Sequence, residues 1–253
     1  MYQLLSQLVI YRNLEPEGIL LSLAAIVKRL EAGEPASDEM ISDVYAQIHR
    51  LLDLATRYGF NGDLWQCYLA WLLATTENPF SLACEKTGAR EGSVNTLAVR
   101  DFTVFKELYV YDFTPVELIL GIDCFTIIRK YQALDKPRRS YNHHVSQQVL
   151  ALREALLQAT DGEAFFDVVT GFYRDHGVGM FGLNRVFRLA STDGALDLEP
   201  ITNTLEVRLN DLIGYELQKQ RLVENTEAFL HGVRANNLLL YGDSGTGKST
   251  CIK

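Results

Sequence analysis

Apolar residues recur every three or four positions through about the first 175 residues, which is the spacing of amphipathic helices. The stretch SDEMISDVYAQIHRLLDLATRYG shows this most clearly, because Val44, Ile48 and Leu51 share one face. Ser37 or Asp38 can cap its start. The stretch that follows, GDLWQCYLAWLLATTENPF, is apolar on nearly every side, which predicts a central helix covered by its neighbours.

The pattern changes after the glycines of GVGMFGLNRVFRLAS. Val186, Arg188 and Ala190 alternate as in a strand, whereas STDGALDLEPITNTLEVRLND is polar and poorly periodic. A helix is then predicted from Tyr215 to about residue 230, followed by a short apolar strand, NLLLY. The predicted fold is a mainly α-helical N-terminal domain over 1–190, a linker over 191–210, and over 211–253 the first helix, strand and loop of an α/β unit.

The residues that follow this strand, GDSGTGKS, match G-x-x-x-x-G-K-[ST] without a mismatch. Glycines let backbone N–H groups approach phosphate oxygens closely. Lys248 would reach the β- and γ-phosphates as a point charge, and the Ser249 hydroxyl would ligate Mg²⁺. A helix that starts near Gly247 would direct its positive end at the phosphates. The strand before the loop and the helix-compatible residues after it are the context that this motif needs.

The segment that precedes the loop, LNDLIGYELQKQRLVENTEAFLHGVRANN, resembles the start of an AAA+ ATPase module. The stretches DLIGYE and DHGVGMFGLNR are also similar to a bacterial group of predicted AAA+ proteins that is classified as a domain of unknown function. The resemblance implies that Ile213, Gly214 and Tyr215 stand where the family contacts adenine. The ATP-binding residues that it implies are Gly242, Asp243, Ser244, Gly245, Thr246, Gly247, Lys248, Ser249, Thr250, Ile213 and Gly214, with Ser249 on the metal.

The resemblance also implies that this sequence stops inside the module, just after the Walker A motif. The Walker B acidic pair, the polar sensor and the arginine finger would all follow Lys253. The expectation is therefore a chain without catalytic residues of its own, with no ATPase activity and with weak or absent nucleotide affinity.

The composition of the chain limits which functions and cellular locations are compatible with the sequence. The net charge of −8 argues against a dedicated nucleic-acid binder but leaves room for a local basic site. The four cysteines are scattered without a CxxC pair, which favours reduced thiols in a cytoplasmic protein over zinc or disulfides. No apolar run is long enough to span a bilayer, and no signal peptide opens the chain.

Two further motifs are weaker. Gly177, Gly179 and Gly182 spell G-x-G-x-x-G, but a helix precedes them where a dinucleotide site needs a strand, so a turn packed closely against another surface is favoured. The basic stretch DKPRRSYNHH contains Lys136, Arg138, Arg139, His143 and His144, and is most simply a solvated helix entry. Binding of phosphate, nucleic acid or an acidic partner there stays open.

The favoured hypothesis is an AAA+ ATPase that couples binding and hydrolysis of Mg-ATP to remodelling of an unknown macromolecular partner. The helical domain would recruit a protein substrate or adaptor, and the full-length protein would form a ring-like homo-oligomer. The alternative is a non-enzymatic helical interaction module whose nucleotide site is regulatory or vestigial. A P-loop kinase is a third interpretation, which leaves the large helical region and LIGYE unexplained.

Overall fold

The computed structural model describes residues 1–133, 141–184, 186–192, 195–201 and 209–252. Contacts along the chain divide it into two compact units, Met1–Asn203 and Thr204–Lys253.

The first unit is mainly α-helical, with one two-stranded antiparallel sheet among its described residues. Its elements are α1 (Tyr2–Leu5), α2 (Ile19–Glu31), α3 (Asp38–Tyr58), α4 (Leu64–Thr75), α5 (Pro79–Thr87), α6 (Ser93–Tyr109), α7 (Thr114–Leu120), α8 (Cys124–Ile128), α9 (His143–Gln158), α10 (Gly162–His176), α11 (Gly179–Leu183), β1 (Phe187–Thr192) and β2 (Ala195–Pro200).

Helix α4 occupies the centre, as its all-round apolar sequence predicts. Leu69, Ala70 and Leu73 are fully buried, and the helix packs on α3, α6, α9 and α10. Trp65 is also buried and donates its indole N–H to the carbonyl of Leu108, 2.7 Å away. The hydrophobic surface that these helices bury against α4 is the main stabilising contribution in the unit.

Helix ends follow the capping chemistry of the sequence. The Ser37 side chain accepts from Met40 N at the start of α3, and Gly59 ends that helix in the left-handed conformation. The Asp161 side chain accepts from Ala164 N at the start of α10. Asn78 and Ser81 form a reciprocal capping box at α5. These contacts explain why the helix boundaries lie close to those that the sequence predicts.

A buried carboxylate holds the N-terminal segment against α6. Asp101 is fully buried, and its two carboxylate oxygens accept from the backbone N–H groups of Val9, Ile10 and Tyr11 at 2.7–3.1 Å. Three converging backbone donors compensate the cost of burying this carboxylate. Asp101 thus makes a tertiary contact across 90 residues of chain.

A buried hydroxyl chain joins the same segment to α10 and α4. The hydroxyls of Tyr11 and Tyr173 lie 2.6 Å apart, and Tyr173 donates to the carbonyl of Leu73 at 2.8 Å. Since Tyr173 gives its proton to Leu73, Tyr11 is the donor in the tyrosine pair. Burial raises the pKa of both phenols well above the ordinary value, so the chain of hydrogen bonds stays protonated across the ordinary pH range.

The G-x-G-x-x-G stretch is a closely packed turn between α10 and α11. A Cβ on Gly182 would lie 2.4 Å from the carbonyl carbon of Gly177, and Gly177 and Gly179 both have positive φ. The Glu85 carboxylate accepts from Val178 N in the same turn. Helices on both sides and glycines in mutual contact account for the motif without a dinucleotide, in agreement with the favoured sequence interpretation.

Strand β2 lies where the sequence predicts an irregular linker over 191–210. It pairs with β1 in the register Leu189↔Leu198, which puts apolar residues on one face and the Arg188–Glu199 ion pair on the other. The pairing depends on cross-strand partners that a search for periodicity in one segment does not see. Residues 202–208 of the predicted linker lie outside the described part of the chain.

The second unit contains a 3₁₀ turn (Leu209–Asp211), α12 (Glu216–Leu230) and α13 (Lys248–Ile252). The predicted helix from Tyr215 is therefore present, but the strand predicted over Asn237–Tyr241 is not formed. A strand requires backbone partners, and no described residue pairs with this stretch. Leu239 and Tyr241 are more than four-fifths exposed. The α/β phosphate-loop module is thus not complete within the described residues.

None of the helices in the described ranges combines the length and the apolar character that crossing a bilayer requires.

We predict that Asp101→Asn lowers the free energy of unfolding by about 3 kcal/mol. The backbone N–H groups of residues 9–11 would lose a charged acceptor, and the N–H₂ group of the new side chain would face them as a second donor. Denaturation by guanidinium chloride, followed by circular dichroism, measures the change. Asp167→Asn on the exposed face of α10 is the matched control and should change stability by less than about 0.5 kcal/mol. Equal stabilities of the two variants would contradict this role of Asp101.

Candidate functional site

The loop Gly242–Ser249 is a compact turn that follows residues 233–241, which form neither helix nor strand, and ends in α13. Gly242, Gly245 and Gly247 have φ values of 144°, 81° and 84°. Residues with a Cβ rarely adopt these angles, so all three glycines of the motif are required by the backbone itself. The loop also bonds to itself, since Thr246 Oγ1 donates to the carbonyl of Asp243 at 2.9 Å.

Lys248 lies at the first position of α13 and folds back over the loop. Its ammonium group donates to the carbonyl oxygens of Gly242 at 2.9 Å and Asp243 at 2.6 Å, and lies 3.4 Å from Thr246 Oγ1. The side chain is half-buried by these contacts. The Lys248 ammonium group, which is the only cation in the motif, is therefore held over the loop by hydrogen bonds to uncharged oxygens.

The first turn of α13 forms on the last glycine of the loop. Thr250 N and Cys251 N both donate to the carbonyl of Gly247 at 3.0 Å. Ser249 is exposed on this turn, and Ser244 is exposed in the loop. The hydroxyl that the sequence assigns to Mg²⁺ thus lies at the surface, one residue after Lys248.

The segment Leu212–Tyr215 lies beside the loop. A Cβ on Gly247 would be 2.9 Å from Leu212 Cδ2, so the two segments are in contact and a larger residue at 247 would force them apart. Ile213 is 97% exposed, Gly214 has a φ of 85°, and Tyr215 adopts the left-handed conformation before α12. The structure therefore brings the two predicted parts of the site together, and the apolar side chain of Ile213 is free to contact a ligand.

Two interactions of α12 position these segments. Lys219 Nζ donates to the carbonyl of Leu212 at 2.8 Å. The Asn225 side chain accepts from Asn236 N at 2.9 Å and donates to Asn236 O at 2.8 Å, which ties the stretch 233–241 to the helix. Neither contact is predicted from the sequence, because each joins a side chain of α12 to a backbone group outside the helix.

Within the described part of the chain, the other candidate residues show no second site of this kind. Most of the basic stretch DKPRRSYNHH lies in 134–140, outside the described residues, while His143 and His144 open α9. Within the described ranges, no group of three or more His, Cys, Asp or Glu residues is arranged to hold a metal ion. Burial raises the pKa of the Cys67 thiol to about 11, which makes it a packing residue and a poor nucleophile.

We predict that Asn225→Ala releases the stretch 233–241 from α12, because both hydrogen bonds to Asn236 are lost. Hydrogen exchange followed by mass spectrometry should show faster exchange in this stretch, with α9 and α10 unchanged. Gln220→Ala removes a side chain of similar size from the same helix and should leave the exchange of 233–241 as in the wild type. Unaltered exchange in Asn225→Ala would show that the Asn225–Asn236 pair does not hold the stretch.

Comparison with known proteins gives one match. Residues 183–253 match the family model described as "Protein of unknown function (DUF815)". The matched region begins at the end of α11 and contains the β1–β2 hairpin, α12 and the whole phosphate loop. No curated protein and no solved structure matches the chain. The resemblance to this family therefore lies in the C-terminal region, residues 183–253.

Proposed function

We propose that the loop Gly242–Ser249 binds the phosphates of ATP together with Mg²⁺, as the nucleotide site of an AAA+ ATPase. The observation that carries the proposal is the position of Lys248. Its ammonium group lies over the loop and bonds to the carbonyls of Gly242 and Asp243, and the three glycines of the loop have positive φ angles. A Gly-rich turn with a lysine at the following helix start is an arrangement suited to triphosphates.

The residues present fit the ligand. The bonds of Lys248 go to uncharged oxygens, and anionic phosphate oxygens are stronger acceptors for an ammonium group. An incoming phosphate can therefore replace the carbonyls of Gly242 and Asp243 as the partners of Lys248. Ser249 would hold Mg²⁺ through its hydroxyl. ATP supplies the phosphoanhydride bond whose hydrolysis would drive work on a partner.

The base would lie on the segment beside the loop. Contact between Leu212 and Gly247 fixes this segment at the phosphate end, and Ile213 offers an exposed apolar side chain. Gly214, with positive φ, allows a planar ring to approach the backbone closely. We therefore assign adenine to Ile213 and Gly214, and the phosphates and metal to Gly242–Thr250.

The helical unit would bind the macromolecule on which the ATPase acts, and the protein would assemble as a homo-oligomer. The second candidate is a non-enzymatic interaction module with a regulatory or vestigial nucleotide site. It is favoured by the large, well-packed helical core, which accounts for most of the first unit. A regulatory site would bind nucleotide without turnover and a vestigial site would bind none, so turnover is what separates both from the ATPase.

We predict that Lys248→Ala weakens Mg-ATP binding at least about tenfold, because one charge-assisted contact to phosphate is worth about 1.5–3 kcal/mol. Isothermal titration calorimetry measures the affinity. Lys86→Ala, an exposed lysine on α5, is the control and should bind as the wild type does. Equal affinities of wild type and Lys248→Ala would overturn the proposal.

Ser249→Ala separates the metal contact from the phosphate contact. It should remove most of the gain in ATP affinity that Mg²⁺ gives, while ATP without metal binds as to the wild type. Release of phosphate by the wild-type protein favours the ATPase, whereas tight binding without turnover favours the interaction module. An identical Mg²⁺ effect in Ser249→Ala and wild type would contradict the role assigned to this hydroxyl.

A further inference from the structure

Lys219 on α12 joins the segment 212–215, on which the proposed adenine contacts lie, to the helix that follows it. Its ammonium group donates to the backbone carbonyl of Leu212 and to Glu216 Oε1, each at 2.8 Å. Its backbone N–H donates to the carbonyl of Tyr215 at 2.9 Å. One residue therefore bonds to both ends of the segment.

The side chain of Lys219 is largely shielded from water. Its exposed fraction is 12%, against 79% for the side chain of Glu216, its partner in the ion pair. Between residues 211 and 220, Lys219 and Leu212 are half-buried and the other residues are exposed. A charge-assisted hydrogen bond that is shielded from water is stronger than the same bond at the surface. The contact between Lys219 and Leu212 is therefore suited to hold the segment in place.

The two residues inside the segment have few other contacts. Ile213 is 97% exposed, and a Cβ placed on Gly214 would meet no atom within 4 Å. Neither residue forms a hydrogen bond with another residue in the described ranges. The positions of Ile213 and Gly214 thus depend on what fixes the two ends of the segment.

Tyr215 carries backbone strain at one of these ends. Its φ of 59° is the one positive φ among the non-glycine residues that the structure describes. The left-handed region is unfavourable for a residue with a Cβ, so surrounding contacts have to hold Tyr215 there. Lys219 N fixes the carbonyl of Tyr215, and Lys219 Nζ fixes the carbonyl of Leu212. The two contacts together keep the chain turned between Leu212 and α12.

Leu212 also connects the segment to the phosphate loop. Its side chain packs so closely on Gly247 that a Cβ added there would lie 2.9 Å from Leu212 Cδ2. The hydrogen bonds of the Lys219 ammonium group go to Leu212 and Glu216, and none joins it to the described loop Gly242–Ser249. The placement of the segment relative to the loop therefore runs from Lys219 through Leu212 to Gly247.

We propose that Lys219 is a positioning residue that sets the contribution of the nucleobase to affinity, an inference that rests on the proposed nucleotide site. With Lys219 in place, Ile213 and Gly214 already lie beside the loop and need not be ordered when the base binds. Without it, ordering the segment would cost part of the binding free energy, whereas the phosphates would still meet Lys248. Lys219 makes the site selective for a nucleoside triphosphate over a bare triphosphate.

The test compares Mg-ATP with Mg-tripolyphosphate, which offers phosphates without a nucleoside, by isothermal titration calorimetry on the protein. We expect wild type to bind ATP more tightly than tripolyphosphate. In Lys219→Met, ATP affinity should fall at least about tenfold, while tripolyphosphate binds within about twofold of wild type. Arg221→Met removes an exposed cation from the same helix and should bind both ligands as wild type does. Lys219→Arg keeps the charge and N–H donors and should recover most of the preference for ATP.

The results distinguish this role from the nucleotide site itself. A wild-type protein that binds neither ligand would contradict the nucleotide site, and the role of Lys219 would fall with it. If wild type binds ATP, equal ATP affinities of wild type and Lys219→Met would overturn the role of Lys219 alone. Equal losses for the two ligands in Lys219→Met, or equal affinities of wild type for both, would also overturn it, because the base would then not be what Lys219 serves.

Hydrogen exchange without nucleotide gives an independent readout of the same role. Lys219→Met should show faster exchange in residues 211–215, because the Leu212 carbonyl loses its charged donor. The exchange of α9 and α10 should stay as in wild type. Unchanged exchange of 211–215 in Lys219→Met would show that the ammonium group does not hold the segment, and would contradict the proposal.

Discussion

The burial of one carboxylate organises the helical unit. Asp101 lies on α6 with both oxygens turned to the backbone of residues 9–11, and this contact fixes the chain that leads from α1 to α2. Tyr11, held in this way, reaches Tyr173 and through it the central helix α4. This buried and fully bonded carboxylate favours a single position of residues 9–11, because any other position would leave the Asp101 carboxylate without hydrogen-bond donors.

Different interactions stabilise the two units. In the first, apolar side chains around α4 exclude water and the helices stabilise one another. In the second, α12 buries none of its residues, and a few polar contacts hold the site: Lys219 to Leu212, Asn225 to Asn236 and Lys248 to the loop. The loop conformation is set mainly by glycine angles and by the Lys248 ammonium, which is local chemistry encoded within eight residues.

This difference explains what the sequence predicts well. Helices in the first unit are predictable because apolar spacing and caps such as Ser37 and Asp161 act locally, and the loop is recognisable because its glycines are individually required. The Asp101 contact and strand β2 depend on partners far along the chain or in a neighbouring strand. The apolar stretch 237–241 has the composition of a strand but no backbone partner among the described residues, so it does not become one. The composition of a segment indicates its tendency to form a strand, and pairing with a neighbouring strand decides whether that strand forms.

Hydrogen exchange in the presence and absence of Mg-ATP tests the central claim most directly, because it reports where the nucleotide lies. The account predicts slower exchange of the protein in 242–250 and around Ile213 and Gly214 when Mg-ATP is present, with the α4 core unaffected. Lost exchange protection in these segments, or protection confined to the helical unit, would contradict the assignment of Gly242–Ser249 as a nucleotide site.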